Sequence, residues 1–213
     1  MMLMQNKVIL VLGPHTDDGE WGCGASIVKW IEAGHSVYYA AFSAAEESVP
    51  EGLPLDILRT EIPIAVQILG IDLDKLKVFA HKVRYFPRDR QDILEEMIRL
   101  RQELRPNVVV VPSTFDTHQD HEVICQEAFR AYKRSTILGY ELPWNNRRID
   151  LTFFNGVSAD QLSKKIESIG AYKSQLFRAP NYGELIKSLA LQRGSQVGLD
   201  YAEAFEVIRW VEQ

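Results

Sequence analysis

Two short polar runs contain most of the residues in this chain that can do chemistry. The first is Pro-His-Thr-Asp-Asp-Gly-Glu at residues 14–20, and the second is Asp-Thr-His-Gln-Asp-His at residues 116–121. Together they hold three of the five histidines of the chain. Imidazole nitrogens and carboxylate oxygens are the ligands of catalytic zinc sites, which keep three protein ligands and one open position. The two runs therefore predict a metal site, provided that the fold brings them together.

Each run directly follows an apolar segment rich in β-branched residues, at 7–13 and at 107–111. Near-continuous apolar segments of this kind are typical of buried strands in a parallel sheet. In such sheets the ligand crevice lies at the carboxyl ends of the strands, where the chain order reverses. We therefore expect the two runs to meet at one edge of the sheet.

The first run offers a division of roles. His15 and Asp18 lie three residues apart in a turn between strand and helix, so both side chains can point at one ion. Asp17 then points elsewhere and is free to accept a proton from water. The alternative is that both aspartates cap the following helix and that His15 is an ordinary loop histidine. A dinucleotide loop is disfavoured, because the glycines lack the required order and two carboxylates repel a pyrophosphate.

The second run places two histidines on one side of the first turn of a helix, because they are three residues apart. One of them, most simply His121, completes the set with His15 and Asp18. The other can stand over the substrate and donate to an oxyanion. Asp120 can bond a ring nitrogen and fix its tautomer. The alternative is a helix cap at residue 116 or 117, with both histidines on the surface.

The elements that must position these runs follow from the apolar spacing. Up to residue 133 we predict strands at 7–13, 36–42, 77–80 and 107–111, and helices at 23–33, 54–69, 89–104 and 121–132. Pro63 is expected to kink or break the second helix. The alternation predicts an α/β fold with a Rossmann-like, mostly parallel sheet flanked by helices.

The alternation of strand and helix patterns weakens after residue 133. We expect strands at 137–142 and 150–154 and helices at 159–172 and 201–211. This C-terminal half is interpreted as an extension that walls the active site, within a single domain spanning residues 1–213.

Composition excludes several classes of protein. The chain has 213 residues, 46% of them hydrophobic, and a net charge of −5, which argues against a general nucleic-acid binder. No apolar run approaches the roughly 20 residues needed to span a bilayer, and residues 1–13 lack the basic region, long apolar region and cleavage site expected of a secretory signal. Two cysteines without a CxxC spacing indicate buried thiols in a reducing compartment. We expect a cytoplasmic protein with a small-molecule substrate and no membrane span; whether it forms a homo-oligomer stays open.

At the two runs the chain resembles the zinc-dependent N-deacetylases of the LmbE-like family, which includes N-acetylglucosaminyl-phosphatidylinositol de-N-acetylase (PIG-L). The family patterns are His-Pro-Asp-Asp-x-Glu and His-x-Asp-His, found here at 15–20 and 118–121 with Thr16 and Gln119 in place of the frequent prolines. The resemblance continues at residues 22–27, 61–70, 172–175, 193–194 and 201–205. It covers nearly the whole chain and is weakest between about 133 and 160.

The resemblance implies zinc, or another divalent metal, bound by His15, Asp18 and His121. It implies Asp17 as the general base and His118 as the group that stabilises the oxyanion or protonates the leaving amine.

The resemblance also assigns Asp120 to orienting His118. Leu58 occupies a position where the family often has a substrate-contacting arginine, and Arg59 lies beside it. We expect Arg59, Ser43 and Glu46 to contact substrate.

The leading functional hypothesis is therefore removal of an N-acetyl or other N-acyl group from an N-acetylglucosamine-type sugar or sugar conjugate. A conjugate amidase or deformylase using the same metal site is the second hypothesis. The third is a non-catalytic metal- or sugar-binding protein on this scaffold.

Overall fold

The computed structural model describes residues 6–148 and 150–212. Its strands form one sheet and are, in chain order, β1 (Val8–Gly13), β2 (Ser36–Ala41), β3 (Leu76–Val78), β4 (Val108–Pro112), β5 (Thr136–Tyr140), β6 (Phe153–Gly156) and β7 (Ala202–Arg209). The spatial order is β3-β2-β1-β4-β5-β7-β6. The first five strands in this order are parallel, and β7 runs antiparallel to both of its neighbours. The expected α/β fold with a mostly parallel sheet is confirmed.

Strands β1 and β4 lie side by side at the centre of the sheet, with Ile9 opposite Val108 and Val11 opposite Val110. After β1 the chain continues towards β2 on one side, and after β4 it continues towards β5 on the other. This reversal of chain direction opens a crevice at the carboxyl ends of the two strands. Both polar runs leave the sheet there.

Helices cover both faces of the sheet. They are α1 (Asp18–Glu32), α2 (Ile57–Ile68), α3 (Arg90–Leu104), α4 (Gln119–Ala131), α5 (Ala159–Gly170) and α6 (Tyr182–Ser195). Alternate residues of a strand point to opposite faces. On β1, Ile9 packs in the cluster that contains α1 and α2, whereas Leu10 packs in the cluster that contains α3 and α4.

Pro63 lies inside α2, yet the helix runs through it, so the expected break is wrong. Pro63 cannot donate the hydrogen bond that the carbonyl of Arg59 would accept. The apolar face of the helix compensates, because Ile62 and Val66 are fully buried in the core.

The prediction of a helix at 201–211 is also wrong, because residues 202–209 form strand β7. The alanines and glutamates of this segment favour a helix. Between β5 and β6, however, Phe205 is paired with both Tyr140 and Phe153, and the segment closes the antiparallel end of the sheet. Helix α6 was not predicted, since its leucines are not confined to one face: Leu185 and Leu191 are 42% and 55% exposed.

A buried carboxylate on β7 shapes the first helix. Helix α1 is interrupted at Cys23, whose φ and ψ are −149° and 25°. Glu203 accepts hydrogen bonds from the backbone N–H groups of Ala25 and Ser26, at 3.2 and 2.6 Å, and so caps the restarted helix. Lys165 balances its charge at 2.6 Å.

Among the residues described, no helix has both the length and the apolar composition needed to cross a bilayer.

The close approach of α1 to the sheet predicts a large cost for a side chain at Gly22. A Cβ built there lies 2.2 Å from the ring of Tyr140. We expect Gly22→Ala to lower the free energy of unfolding by about 1–3 kcal/mol, as overpacked cores do. The matched control is Gly183→Ala in α6, where the nearest atom is Ile166 Cγ2 at 3.5 Å. Urea denaturation measures both; equal stability of the two variants contradicts the prediction.

Candidate active site

The crevice between β1 and β4 brings the two polar runs into contact. His15 follows β1, and His118 and His121 lie at the start of α4. One ring nitrogen from each of the three histidines lies within 4.8 Å of the others. His15 lies 103 positions before His118 in the chain, yet it forms one cluster with His118 and His121 that can hold a metal ion.

A second, overlapping set of donors has the dimensions of a zinc site. His15 Nδ1 lies 3.0 Å from Asp18 Oδ2, His121 Nε2 lies 3.3 Å from the same oxygen, and the two nitrogens are 3.4 Å apart. Ligands at roughly 2.0–2.1 Å from a tetrahedral zinc are separated by about 3.3 Å. The three atoms therefore fit three corners of one coordination tetrahedron.

The far nitrogens of two histidines are held by carboxylates. His15 Nε2 lies 3.0 Å from Asp120 Oδ2, and His121 Nδ1 lies 2.8 Å from Asp116 Oδ2. A carboxylate on the far nitrogen places the proton there and leaves the near nitrogen free to bind a metal. The role of Asp116 was missed by the sequence reasoning, which weighed this residue only as a helix cap.

Asp120 contacts His15, which corrects the expectation that it orients His118. Residues two positions apart on a helix do not face each other, so the Asp120 carboxylate points across the crevice. There it also accepts from the backbone N–H groups of Arg84 and Phe86, at 2.6 and 3.3 Å.

His118 itself is the N-cap residue of α4, a position that the sequence alternative gave to Asp116 or Thr117. Its Nδ1 accepts the backbone N–H of Asp120 at 3.2 Å. Burial, followed by the positive charges of His121 and His15, lowers the pKa of His118 to about 4. A neutral imidazole that accepts at Nδ1 carries its proton on Nε2. His118 therefore lines the crevice as a hydrogen-bond donor.

Asp17 occupies the N-cap position of α1, but its side chain makes no capping hydrogen bond. The side chain lines the crevice instead. Burial and the neighbouring Asp18 raise the pKa of Asp17 to about 6, against the opposing effects of His15 and Arg178. A carboxylate with a pKa close to neutrality can both accept and release a proton during a reaction.

The carboxylates favour a positive charge between the rings. Burial alone lowers the pKa of both His15 and His121, but Asp18 and the carboxylates on their far nitrogens outweigh it and raise the values to about 9 and 10. Burial opposes ionisation of Asp18, yet the two histidines hold its pKa well below the usual range. A divalent cation among these atoms meets the same electrostatic demand as the protons.

Glu20 ties the first run to the C-terminal half. The carboxylate is completely buried and accepts from the hydroxyls of Tyr39 and Tyr172, both at 2.6 Å. Burial raises the pKa of Glu20 to about 8, although the two tyrosine hydrogen bonds oppose the shift. The tyrosine hydroxyls also lie within 3.1 Å of the carbonyl of Thr16. The loop that carries His15, Asp17 and Asp18 is thereby fixed to β2 and to residue 172.

A cavity of about 610 Å³ opens above the histidine cluster, within the range of roughly 300–1,000 Å³ usual for small-molecule sites. Much of its lining comes from residues within 144–145 and 169–185, as expected of the C-terminal extension.

Arg59, Ser43 and Glu46, the residues expected to contact substrate, are not among the residues that line this cavity. Arg59 pairs with Glu46 at 2.7 Å and donates to the carbonyl of Phe79, while Ser43 is buried and accepts from the backbone N–H of Ala45. Leu58, one position before Arg59, faces the cavity instead. A shift of one residue turns a helical side chain by about 100°.

Comparison with known proteins identifies the family. The model of the family described as PIG-L, GlcNAc-PI de-N-acetylase, matches residues 10–133, which is more than half of the chain and includes both polar runs. The chain belongs to this family. A relative from Escherichia coli (strain K12), the uncharacterized deacetylase YaiS, is 29% identical over 177 residues, covering 80% of this chain and 92% of that protein.

Solved structures share the fold. N,N'-diacetylchitobiose deacetylase from Pyrococcus horikoshii aligns with a TM-score of 0.81 and 20% identity, over 97% of this chain and 85% of that one. GalB, the 4-carboxy-2-hydroxymuconate hydratase from Pseudomonas putida KT2440, aligns with a TM-score of 0.79 and 21% identity, over 97% and 99%. Identities at this level show a common fold, and the two proteins are named for different reactions. The reaction must therefore be argued from the site.

The carboxylate behind His121 predicts the metal affinity of the cluster. We expect Asp116→Ala to weaken zinc binding by about 10–100-fold, as loss of such carboxylates does. The matched control is Asp74→Ala, because Asp74 is an exposed aspartate far along the chain from both runs. Competition with a chromophoric chelator measures the dissociation constants. Equal affinity of the two variants contradicts a metal bound through His121 Nε2.

Proposed function

We propose that this protein is a zinc-dependent hydrolase that removes an acetyl or other acyl group from the nitrogen of an N-acetylglucosamine-type amino sugar or sugar conjugate. The observation that carries the proposal is the zinc-sized triangle formed by His15 Nδ1, Asp18 Oδ2 and His121 Nε2. Membership of the de-N-acetylase family supports it. So does the name of the bacterial relative, a deacetylase.

Asp18, rather than His118, is proposed as the third ligand. The three-histidine set requires a lone pair on His118 Nε2, because Nδ1 is engaged with the N–H of Asp120. A neutral His118 that accepts at Nδ1 has its proton on Nε2 and offers no lone pair there. The oxygen of Asp18 is an acceptor already placed between the other two donors.

A divalent ion held by these residues supplies Lewis acidity, which polarises the amide carbonyl and makes water more acidic. Asp17 accepts a proton from the attacking water as the carbon–oxygen bond forms. His118 Nε2–H donates to the oxygen that becomes negatively charged.

Breakdown of the tetrahedral adduct needs a proton on the leaving nitrogen. Near neutral pH Asp17, whose pKa is about 6, holds a proton more readily than His118, whose pKa is about 4 because of burial and the neighbouring histidines. Asp17 therefore returns the proton it took from water. The carbon–nitrogen bond breaks, and the products are a carboxylic acid and a free amine.

No specific observation favours either of the two other hypotheses, an amidase or deformylase and a non-catalytic binding protein. A conjugate amidase or deformylase would use the same residues on a different amide. A purely metal- or sugar-binding protein does not need Asp17 and His118, both of which line the cavity.

Amine release tests the function directly. Chelator-treated protein should be inactive, and added zinc should restore release of free amine from N-acetylglucosamine derivatives, detected with an amine-reactive fluorophore. Asp17→Asn should keep its zinc and lose about 10²–10⁴-fold in kcat, the usual contribution of a general base. Asp74→Asn is the matched control. Zinc binding without amine release from any N-acyl sugar favours a binding protein, and full activity of Asp17→Asn overturns the proposed base.

Substitution of His118 separates a ligand from an oxyanion donor. Asparagine is a good N-cap residue, so His118→Asn should keep helix α4 capped while removing the Nε2–H donor. We expect kcat to fall by about 10²–10³-fold, with unchanged zinc stoichiometry. His118→Ala should in addition lose about 1 kcal/mol of stability through the missing cap. Loss of zinc from His118→Asn supports the three-histidine ligand set and contradicts Asp18 as the third ligand.

A further inference from the structure

Much of the cavity lining outside the metal-binding cluster is apolar. We define the apolar wall as Trp21, Trp144, Leu176, Pro180, Tyr182 and Leu185. Trp21 and Trp144 meet edge to face, with ring centroids 5.1 Å apart and planes at 83°. Trp144 is 54% exposed and Leu185 is 42% exposed. Large apolar side chains thus stay in contact with water at the cavity, at a cost that a bound apolar group would remove.

The cavity offers little to an anionic group. Among the described residues that line it, Arg178 is the only lysine or arginine. Its guanidinium donates to the carbonyl of Ser48 at 3.0 Å and acts electrostatically on Asp17. A phosphate or carboxylate on the substrate would therefore have a single arginine to pair with, and that arginine is already engaged by Ser48 and Asp17. A charged carrier such as a nucleotide does not match this lining.

The other sides of the cavity continue the same character. Leu58, Val83 and Ile169 face it from α2, from the loop before α3 and from α5. Besides the cluster and Asp17, the polar lining residues are Ser48, Asn145, Gln175, Arg178 and Asn181, and the tyrosines Tyr172 and Tyr182 also face the cavity. Such a site fits a ligand with one polar end at the cluster and an apolar body.

We propose that the substrate is an uncharged amphiphile, an N-acyl amino sugar carrying an alkyl or aryl group that packs on the apolar wall. This inference rests on the proposed N-acyl hydrolase activity and specifies its substrate class. The apolar group has two possible sources that share one chemistry: the aglycone attached to the sugar, or a long acyl chain on the nitrogen.

Two substrate series distinguish the sources. The first is methyl, butyl and octyl β-glycosides of N-acetylglucosamine; the second is N-acetyl, N-butyryl and N-octanoyl glucosamine. In the series that places its chain on the apolar wall, kcat/KM for amine release should rise about fourfold per methylene until the wall is covered. N-acetylglucosamine 1-phosphate should be a poorer substrate than the methyl glycoside. Measurable activity that stays flat or falls along both series overturns the amphiphile inference and leaves the proposed function intact.

Variants of the wall supply the matched control. Trp144→Ala and Leu185→Ala should each reduce the ratio of kcat/KM for the octyl and methyl members of the responsive series by more than fivefold. Leu191→Ala should leave the ratio unchanged, because Leu191 lies on the same helix as Leu185 and is 55% exposed outside the cavity. An unchanged ratio in both wall variants contradicts binding at this wall.

If no amine is released from any substrate, the proposed function is wrong. A direct binding measurement then tests the amphiphile inference by itself. Titration with octyl β-glucoside below its micelle concentration, followed by calorimetry, should then show binding at least tenfold tighter than methyl β-glucoside. Trp144→Ala should abolish the difference. Equal affinity for the two glycosides overturns the apolar site itself.

Discussion

The side-by-side pairing of β1 and β4 is the constraint on which the site depends. These strands are parallel neighbours in the middle of the sheet, and the chain leaves them in opposite directions. No crossover connection therefore covers the gap between their carboxyl ends, and this gap forms the open crevice. The core packed on both faces, by α1 and α2 on one side and α3 and α4 on the other, holds the two strand ends in register. Because the polar runs directly follow these strand ends, the strands fix the distance between the runs. Their donor atoms therefore need little further ordering to meet.

Within the crevice, each of the two imidazole rings proposed to bind the metal is held by a carboxylate on its other nitrogen. Asp120 fixes His15 and Asp116 fixes His121, while Asp18 lies between their near nitrogens. These three carboxylates create a negative local field around the two rings, which a cation relieves. The same field explains why the two outer histidines have raised pKa values, whereas His118, which is buried beside two positive rings, has a lowered one. Neighbouring residues of one type therefore take different roles because their surroundings differ.

The C-terminal half completes the site without contributing to the donor set. Tyr172 reaches back to Glu20 and the carbonyl of Thr16, and Glu203 on β7 caps the restarted part of α1. Tyr172 thus fixes the first run directly, and Glu203 fixes the helix that follows it. The same half supplies Trp144, Leu176 and Leu185 to the cavity. The chemistry of the site thus lies in the first 121 residues, and the shape of the space offered to a substrate lies mainly in the rest.

The sequence by itself determined the elements around the two polar runs, since apolar spacing marks buried strands and helices there. It also determined which residues could be donors, because His15, Asp17, Asp18, His118 and His121 are close in sequence to strand ends. Only the tertiary structure decided which partner each donor has. Asp120 reaches His15, and Asp116 reaches His121, through contacts across the crevice that no local spacing encodes. Residues 202–209 are a strand because two neighbours pair with them, against their helical composition. The Arg59–Glu46 pair and the cavity-facing Leu58 depend in the same way on how α2 is rotated against the sheet, and long-range packing sets that rotation.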